Sequence, residues 1–260
     1  MKVFNSFYAV VFDLDGVITK TALVHAAAWK DMFDGYLRLK EQKDGLPFKE
    51  FSKEDYRKYV DGKPRYKGVE SFLKSRGIVL PFGDTSDSSD NETICGLGNR
   101  KNAIFREILK KQGVEVYQSV VDLIRDLKRN GVHVGVASSS KNCQFILKAA
   151  DIEDLFEVRI DGVVSEKLGL KGKPEADIFI TAAKKMGVEP SDSVVVEDAV
   201  AGVKAGRNGG FGLVIGVARG ENIDALKAAG ADVIVTDFKD VTTETLKKWF
   251  EDKKENQGIK

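Results

Sequence analysis

Short apolar runs that stop at an acid, a serine or a glycine recur along this chain, and the first sets the pattern. Ala9-Val10-Val11-Phe12 is a continuous β-branched and aromatic run, as expected of a strand buried on both faces, and Asp13-Leu14-Asp15-Gly16-Val17-Ile18-Thr19 follows it directly. Similar runs predict strands over 132–137, 158–160, 193–196, 212–217 and 233–235. Between and after them, helical spacing predicts helices over 119–128, 142–150, 176–186, 199–205, 223–229 and 243–250. The first of these stops at Asn130-Gly131, and 251–260 reads as a polar tail that frays. Strands separated by helices imply an α/β protein with a doubly wound parallel (Rossmann-like) sheet, whose ligands bind at the carboxyl ends of the strands.

The segment 21–117 has a different character. Ala22, Leu23, Ala26, Trp29, Lys30 and Phe33 recur at helical spacing, further helical stretches follow over 53–59, 68–74 and 99–111, and no strand pattern interrupts them. The Ser/Asp-rich stretch 81–91 lacks apolar periodicity and is expected to be a mobile surface loop. The expected organisation is an α/β core from 1–20 and 118–260, with an all-helical cap domain inserted over 21–117.

Composition narrows the function classes. A chain of 260 residues with 42% hydrophobic and 31% charged content is long enough to bury a sizeable core, and its net charge of +1 gives no bulk attraction for nucleic acid or a membrane surface. No apolar run approaches a membrane span, and Met1-Lys2-Val3-Phe4 leads towards the first strand without a signal-peptide core, so a cytoplasmic protein is expected. Cys95 and Cys143 have no metal-ligand spacing and read as two buried or idle thiols, the alternative being a disulfide that nothing in the sequence supports.

The chemistry is concentrated at strand ends. Two acids at the tip of a buried strand repel unless a cation or a proton separates them, so the Asp13/Asp15 tip is expected to hold a metal; the alternative is that Asp15-Gly16 only makes a turn. Val194-Val195-Val196-Glu197-Asp198 repeats this arrangement, and four carboxylates would supply the hard oxygen ligands that Mg²⁺ prefers. Val134-Gly135-Val136-Ala137-Ser138 ends in a hydroxyl suited to a phosphate oxygen or to a simple N-cap, and Ser139 to Asn142 open the next helix, where backbone N–H groups favour an anion. Lys167, Lys171 and Lys173 compete for a charge-neutralising role, and the proline after Lys173, favoured at a helix start, selects it.

These four stretches in order resemble the motifs of the haloacid dehalogenase superfamily, mostly phosphoryl-transfer enzymes with an aspartate nucleophile. The resemblance implies that Asp13 attacks and carries the phosphoryl group, that Asp15 moves protons, that Ser138 and Lys173 bind the transferring group, and that Asp13, Asp15, Glu197 and Asp198 form the Mg²⁺ site. Gly202 and Gly206 match the fourth motif, where they let the following helix pack closely.

Within the superfamily the chain is most similar to the β-phosphoglucomutase group. Thr19-Lys20-Thr21 with His25 and Trp29 resembles the stretch after the first motif, and the i, i+4 spacing puts His25 and Trp29 on one helix face, either lining a cleft or packed in a core. Asp61-Gly62-Lys63-Pro64-Arg65 resembles the loop whose arginine takes the distal phosphate, Arg100-Lys101-Asn102 a second substrate-facing element, and Ser140, Lys141 and Asn142 the phosphate-side residues. Asp61 departs from the lysine usual before that glycine, with Lys63 as a possible substitute, and the cap is lengthened around 40–50 and near Asp87.

The resemblance implies an Mg²⁺-dependent mutase that interconverts β-D-glucose 1-phosphate and glucose 6-phosphate through a hexose 1,6-bisphosphate, which also serves as phosphorylating activator. The alternatives are a phosphatase for a sugar phosphate and a non-catalytic sugar-phosphate sensor. The expected partner is a small sugar phosphate, with neither nucleic acid nor membrane, and the expected state is a monomer.

Overall fold

The computed structural model describes residues 7–45, 47–220 and 222–258, so the N-terminal Met1-Lys2-Val3-Phe4 and the last two residues of the chain lie outside the described part. In chain order, β1 (Ala9–Phe12) is followed by α1 (Thr21–Asp44), α2 (Lys53–Asp55) running into a π-helical turn (Tyr56–Val60), α3 (Arg65–Ser75) and α4 (Ile94–Gln112). Next come α5 (Gln118–Arg129), β2 (His133–Ala137), α6 (Cys143–Ala149), β3 (Val158–Ile160), α7 (Gly162–Leu168) and α8 (Asp177–Lys185). The chain closes with β4 (Ser193–Glu197), α9 (Val200–Asn208), β5 (Leu213–Val217), α10 (Ile223–Ala229), β6 (Val233–Val235) and α11 (Thr243–Gly258). Two compact units result, Met1–Lys20 with Glu115–Lys260, and Thr21–Val114.

The first unit is a six-stranded, wholly parallel sheet in the order β3-β2-β1-β4-β5-β6. Its apolar runs are continuous because both faces are covered: every residue of β1, β4 and β5 is buried. On one face Val11, Val195 and Val214 pack against Ile178, Phe179 and Ala182 of α8, Val203 of α9 and Leu226 of α10. β1 lies between β2 and β4, with Val11 opposite both Gly135 and Val195. The strand order reverses there, which places the ligand crevice of such a sheet at the carboxyl ends of these three strands.

The second unit is all helical. Its core gathers Trp29, Met32 and Phe33 of α1 with Phe51, Val69, Phe72 and Leu97, and the rings of Phe33, Phe51 and Phe72 meet at centroid distances of 4.2–5.0 Å. The stretch expected to be mobile is tied to the start of α4 instead. Its polar groups are consumed there: the Thr93 hydroxyl donates to Asp87 at 2.6 Å, the Asn99 amide to the Thr85 and Asp87 carbonyls at 3.1 and 2.9 Å, and Arg100 Nε to the Ser89 carbonyl at 2.8 Å.

Three further differences from expectation have physical causes. The insertion closes at Val114 rather than at 117, since Thr19 pairs with Val116 and the Lys20 amide donates to the Glu115 carbonyl at 2.9 Å, in line with a 2.7 Å ion pair between their side chains. The tail does not fray from residue 251: α11 continues to Gly258, with Lys253 on Asp232 at 2.6 Å and Lys254 near Asp192 at 3.5 Å. The seven residues of α7 were not anticipated; Asp161 caps the helix by accepting from the Val163 and Val164 amides at 3.0 and 2.9 Å. Among the described residues no helix is long and apolar enough to cross a membrane.

Candidate active site

The sheet delivers Asp13 to its place. β1 ends at Phe12, but the Asp13 amide still donates to the Val196 carbonyl at 2.9 Å, so the carboxylate emerges level with Glu197 at the end of β4. The chain then turns sharply: the Ile18 and Thr19 amides both donate to the Leu14 carbonyl at 3.0 Å, and the Gly16 amide donates to the Thr19 carbonyl at 2.7 Å. Gly16 is obligatory in this turn. Its φ is +90°, and a Cβ there would lie 1.9 Å from Asp198 Oδ2. Thr19 is fully buried, and its hydroxyl donates to the Leu14 carbonyl at 3.2 Å.

Lys173, in the segment before α8, is buried and lies 2.5 Å from Asp13 Oδ1 and 2.6 Å from Glu197 Oε2, whereas Lys167 and Lys171 are exposed. Burial alone would pull the Lys173 ammonium down, but Asp13 and Glu197 hold it above its ordinary value. Asp13 is pushed up by burial first and then by the Glu197 charge, against the opposing pull of Lys173. Glu197 is fully engaged. Oε1 accepts from the Asp198 and Ala199 amides at 3.1 and 2.9 Å, while Oε2 takes the lysine.

Ser138, at the end of β2, donates to Asp15 Oδ2 at 3.3 Å and accepts from the Ser140 amide at 3.0 Å. The Ser140 hydroxyl in turn accepts from the Asn142 amide at 3.1 Å, so the two hydroxyls shape the turn that leads into α6, and Asn142 is buried within it. Lys141 pairs with Glu166 at 2.7 Å in a half-exposed position.

Of the residues expected from the insertion, His25, Trp29 and Lys101 form a cluster within the helical unit. His25 stacks on Phe105 with centroids 4.0 Å apart and touches Lys101 through Nδ1, while the buried Lys101 ammonium lies 5.1 Å from the Trp29 ring centroid and 4.7 Å from that of Phe105. Trp29 also stacks on Phe33, in the core of the unit. Arg65 donates to Asn102, the residue after Lys101, at 2.8 Å, and burial pulls its guanidinium down from the ordinary value. Lys63 donates to the Ser71 hydroxyl at 2.9 Å.

Carboxylate oxygens of Asp13, Glu197 and Asp198 lie within 4.8 Å of one another, the one such acidic or histidine-bearing group found among the described residues. Asp15 is outside it: its carboxylate accepts from the Ser138 hydroxyl instead. Three crowded carboxylates, two of them buried and opposed by one lysine, suit a small divalent cation with a preference for hard oxygen, so the site fits Mg²⁺. Two residues at this end of the sheet had no signal beyond following an apolar strand. Arg219 donates to the Gly16 carbonyl and Asn222 to the Asp198 carbonyl.

The family model for haloacid dehalogenase-like hydrolases matches residues 8–210, and the chain belongs to that family. Among its relatives, a β-phosphoglucomutase of Mycobacterium bovis is 41% identical over 237 residues, 90% of each chain. One from Bacillus subtilis is 33% identical over 252 residues, which cover 96% of this chain and 99% of that one. The solved β-phosphoglucomutase of Clostridium difficile shares the fold, with a TM-score of 0.73 at 23% identity, over 95% of this chain and 98% of that one.

Proposed function

We propose that this enzyme is an Mg²⁺-dependent phosphosugar mutase acting on β-D-glucose 1-phosphate and glucose 6-phosphate. The observation that carries the reading is Asp13, buried at the tip of the central strand with Lys173 at 2.5 Å, in a chain 41% identical to a β-phosphoglucomutase along nine-tenths of its length. Asp13 is the nucleophile: a carboxylate oxygen bonds to the phosphorus of a sugar bisphosphate as the bond from phosphorus to the sugar oxygen breaks. Asp15 donates the proton that the leaving oxygen takes up, and removes one from the accepting hydroxyl in the reverse sense. Lys173 keeps a positive charge against the transferring group, and Glu197, with both oxygens occupied, holds that lysine in place. Asp13 and Asp198 are then the direct ligands of Mg²⁺, which when bound offsets the repulsion between carboxylate and phosphate.

In this reading Ser140, Lys141 and Asn142 are phosphate-side residues of the core, and Arg65, Lys101, His25 and Trp29 are the substrate-binding residues of the helical unit. A guanidinium suits bidentate phosphate binding, and a lysine buried among three rings is already stripped of water. Exclusion of water from the phosphorylated aspartate is what separates a mutase from a phosphatase. The decisive experiment supplies β-glucose 1-phosphate with a trace of the 1,6-bisphosphate and Mg²⁺. Glucose 6-phosphate formed without inorganic phosphate supports the mutase. Stoichiometric phosphate release makes the enzyme a phosphatase, and no turnover by either route leaves a sensor.

A further inference from the structure

The loop after β5 reaches the backbone on two sides of the metal pocket. Arg219 Nε donates to the Gly16 carbonyl at 2.8 Å, and Asn222 Nδ2 donates to the Asp198 carbonyl at 3.2 Å. The two residues are also joined, since the Arg219 amide donates to Asn222 Oδ1 at 3.2 Å. The guanidinium is fixed from two further directions: Nη1 donates to the Thr236 carbonyl at 3.2 Å, and its carbon lies 3.6 Å from the centroid of the Tyr117 ring. Tyr117 is itself attached to the catalytic turn, for its amide donates to the Ile18 carbonyl at 2.8 Å.

None of these side-chain bonds completes a helix or a strand. Arg219 Nη2 is buried with no hydrogen-bond partner among the described residues, an arrangement that disfavours placing a guanidinium here unless its other contacts matter. What those contacts share is the abutment of Gly16 on Asp198, where not even a methyl group fits. The Gly16 turn thus packs directly on the Asp198 carboxylate, which lies in the same oxygen cluster as Asp13.

We infer that Arg219 and Asn222 are positioning residues that set the separation of the Gly16 turn from Asp198, and with it the affinity of the Asp13, Glu197 and Asp198 group for a divalent cation. The inference rests on the metal-dependent reading above. Lysine is no substitute for Arg219, because a single ammonium has neither the fork that reaches two carbonyls nor the plane that stacks on Tyr117.

The test is Mn²⁺ binding by the whole protein without substrate, followed by the free-ion paramagnetic resonance signal, in wild type, Arg219→Lys and Asn222→Ser. Outer partners of metal ligands commonly set affinity by ten- to a hundred-fold, and a rise of about that size in the Mn²⁺ dissociation constant is expected for each variant. Raising Mg²⁺ should then return kcat towards the wild-type value, which a general loosening of the fold would not allow. Variants that melt earlier without metal yet bind Mn²⁺ as wild type does would overturn the inference. If Arg219→Lys fails to fold, the same comparison on Asn222→Ser decides. Wild type that binds no Mn²⁺ removes the metal-dependent reading itself, whereas binding that both variants retain removes only the positioning role.

Discussion

Gly202 offers a sharp test of how the lysine is held. It lies in α9 directly over Glu197, and a Cβ at this position would fall 1.8 Å from Oε2, 2.1 Å from Cδ and 2.5 Å from Cγ of that side chain. In Gly202→Ala the carboxylate must retreat by roughly 1.5 Å to reach ordinary contact. It has nowhere convenient to go: Glu197 is 1% exposed, two backbone amides hold one oxygen and Lys173 the other. Alanine is the better helix former by about 1 kcal/mol, while overpacking a core costs about 1–3 kcal/mol, so the net loss of stability should be small, about 0–2 kcal/mol. The loss of function should be large. Displacing Glu197 drags Lys173 from Asp13, and misplacement by about 1 Å can reduce turnover by about a hundred-fold. A coupled dehydrogenase assay for glucose 6-phosphate, run beside a circular-dichroism melt, reads both quantities. A Gly202→Ala enzyme with kcat/KM within about twofold of wild type would refute the claim that Glu197 acts by positioning the lysine.

Asp13→Asn should abolish turnover while the protein stays folded; measurable formation of glucose 6-phosphate would show that another group carries the phosphoryl transfer. Arg65→Ala should lose one charge-assisted phosphate contact, about 1.5–3 kcal/mol or ten- to a hundred-fold in kcat/KM, and unchanged kinetics would place the distal phosphate elsewhere. Asp126 accepts from the Thr243 amide at 3.0 Å and its hydroxyl at 2.7 Å at the start of α11, and these bonds hold its carboxyl below the usual range. A depressed folded value gives stability that is fully present above the ordinary aspartate pKa of about 3.9 and is lost as pH falls through the lower folded value. Asp126→Ala should therefore cost about 1 kcal/mol at pH 7 and little at the acid end, and urea melts showing an equal loss at both would contradict this.

Much of the fold is written locally. The apolar runs of β1, β4 and β5 are continuous because each of these strands has both faces covered, and this is visible without any tertiary information. Lys173 stands apart from Lys167 and Lys171 through the proline behind it, and it is the buried one of the three. What the chain does not announce is set by partners far away in sequence. The polar residues of 81–91 suggest mobility, yet the same side chains and carbonyls satisfy Thr93, Asn99 and Arg100 at the start of α4. The tail looks free until Lys253 meets Asp232 and Lys254 meets Asp192. Asp15 follows Asp13 by two residues, but its carboxylate meets Ser138, across 123 positions of sequence. Arg219 and Asn222 are the extreme case, since both reach backbone carbonyls that no side-chain pattern can mark.

The pairing of Lys20 with Glu115, and of Thr19 with Val116, means that the chain departs for its long excursion and comes home at the same doorstep. Ninety-odd residues thus behave as a cassette in a socket. A cassette of another length, or a turn of a few residues, would join the same two ends without disturbing the order of the strands or the spacing of the acids at their tips. The doorstep is where a designer would cut.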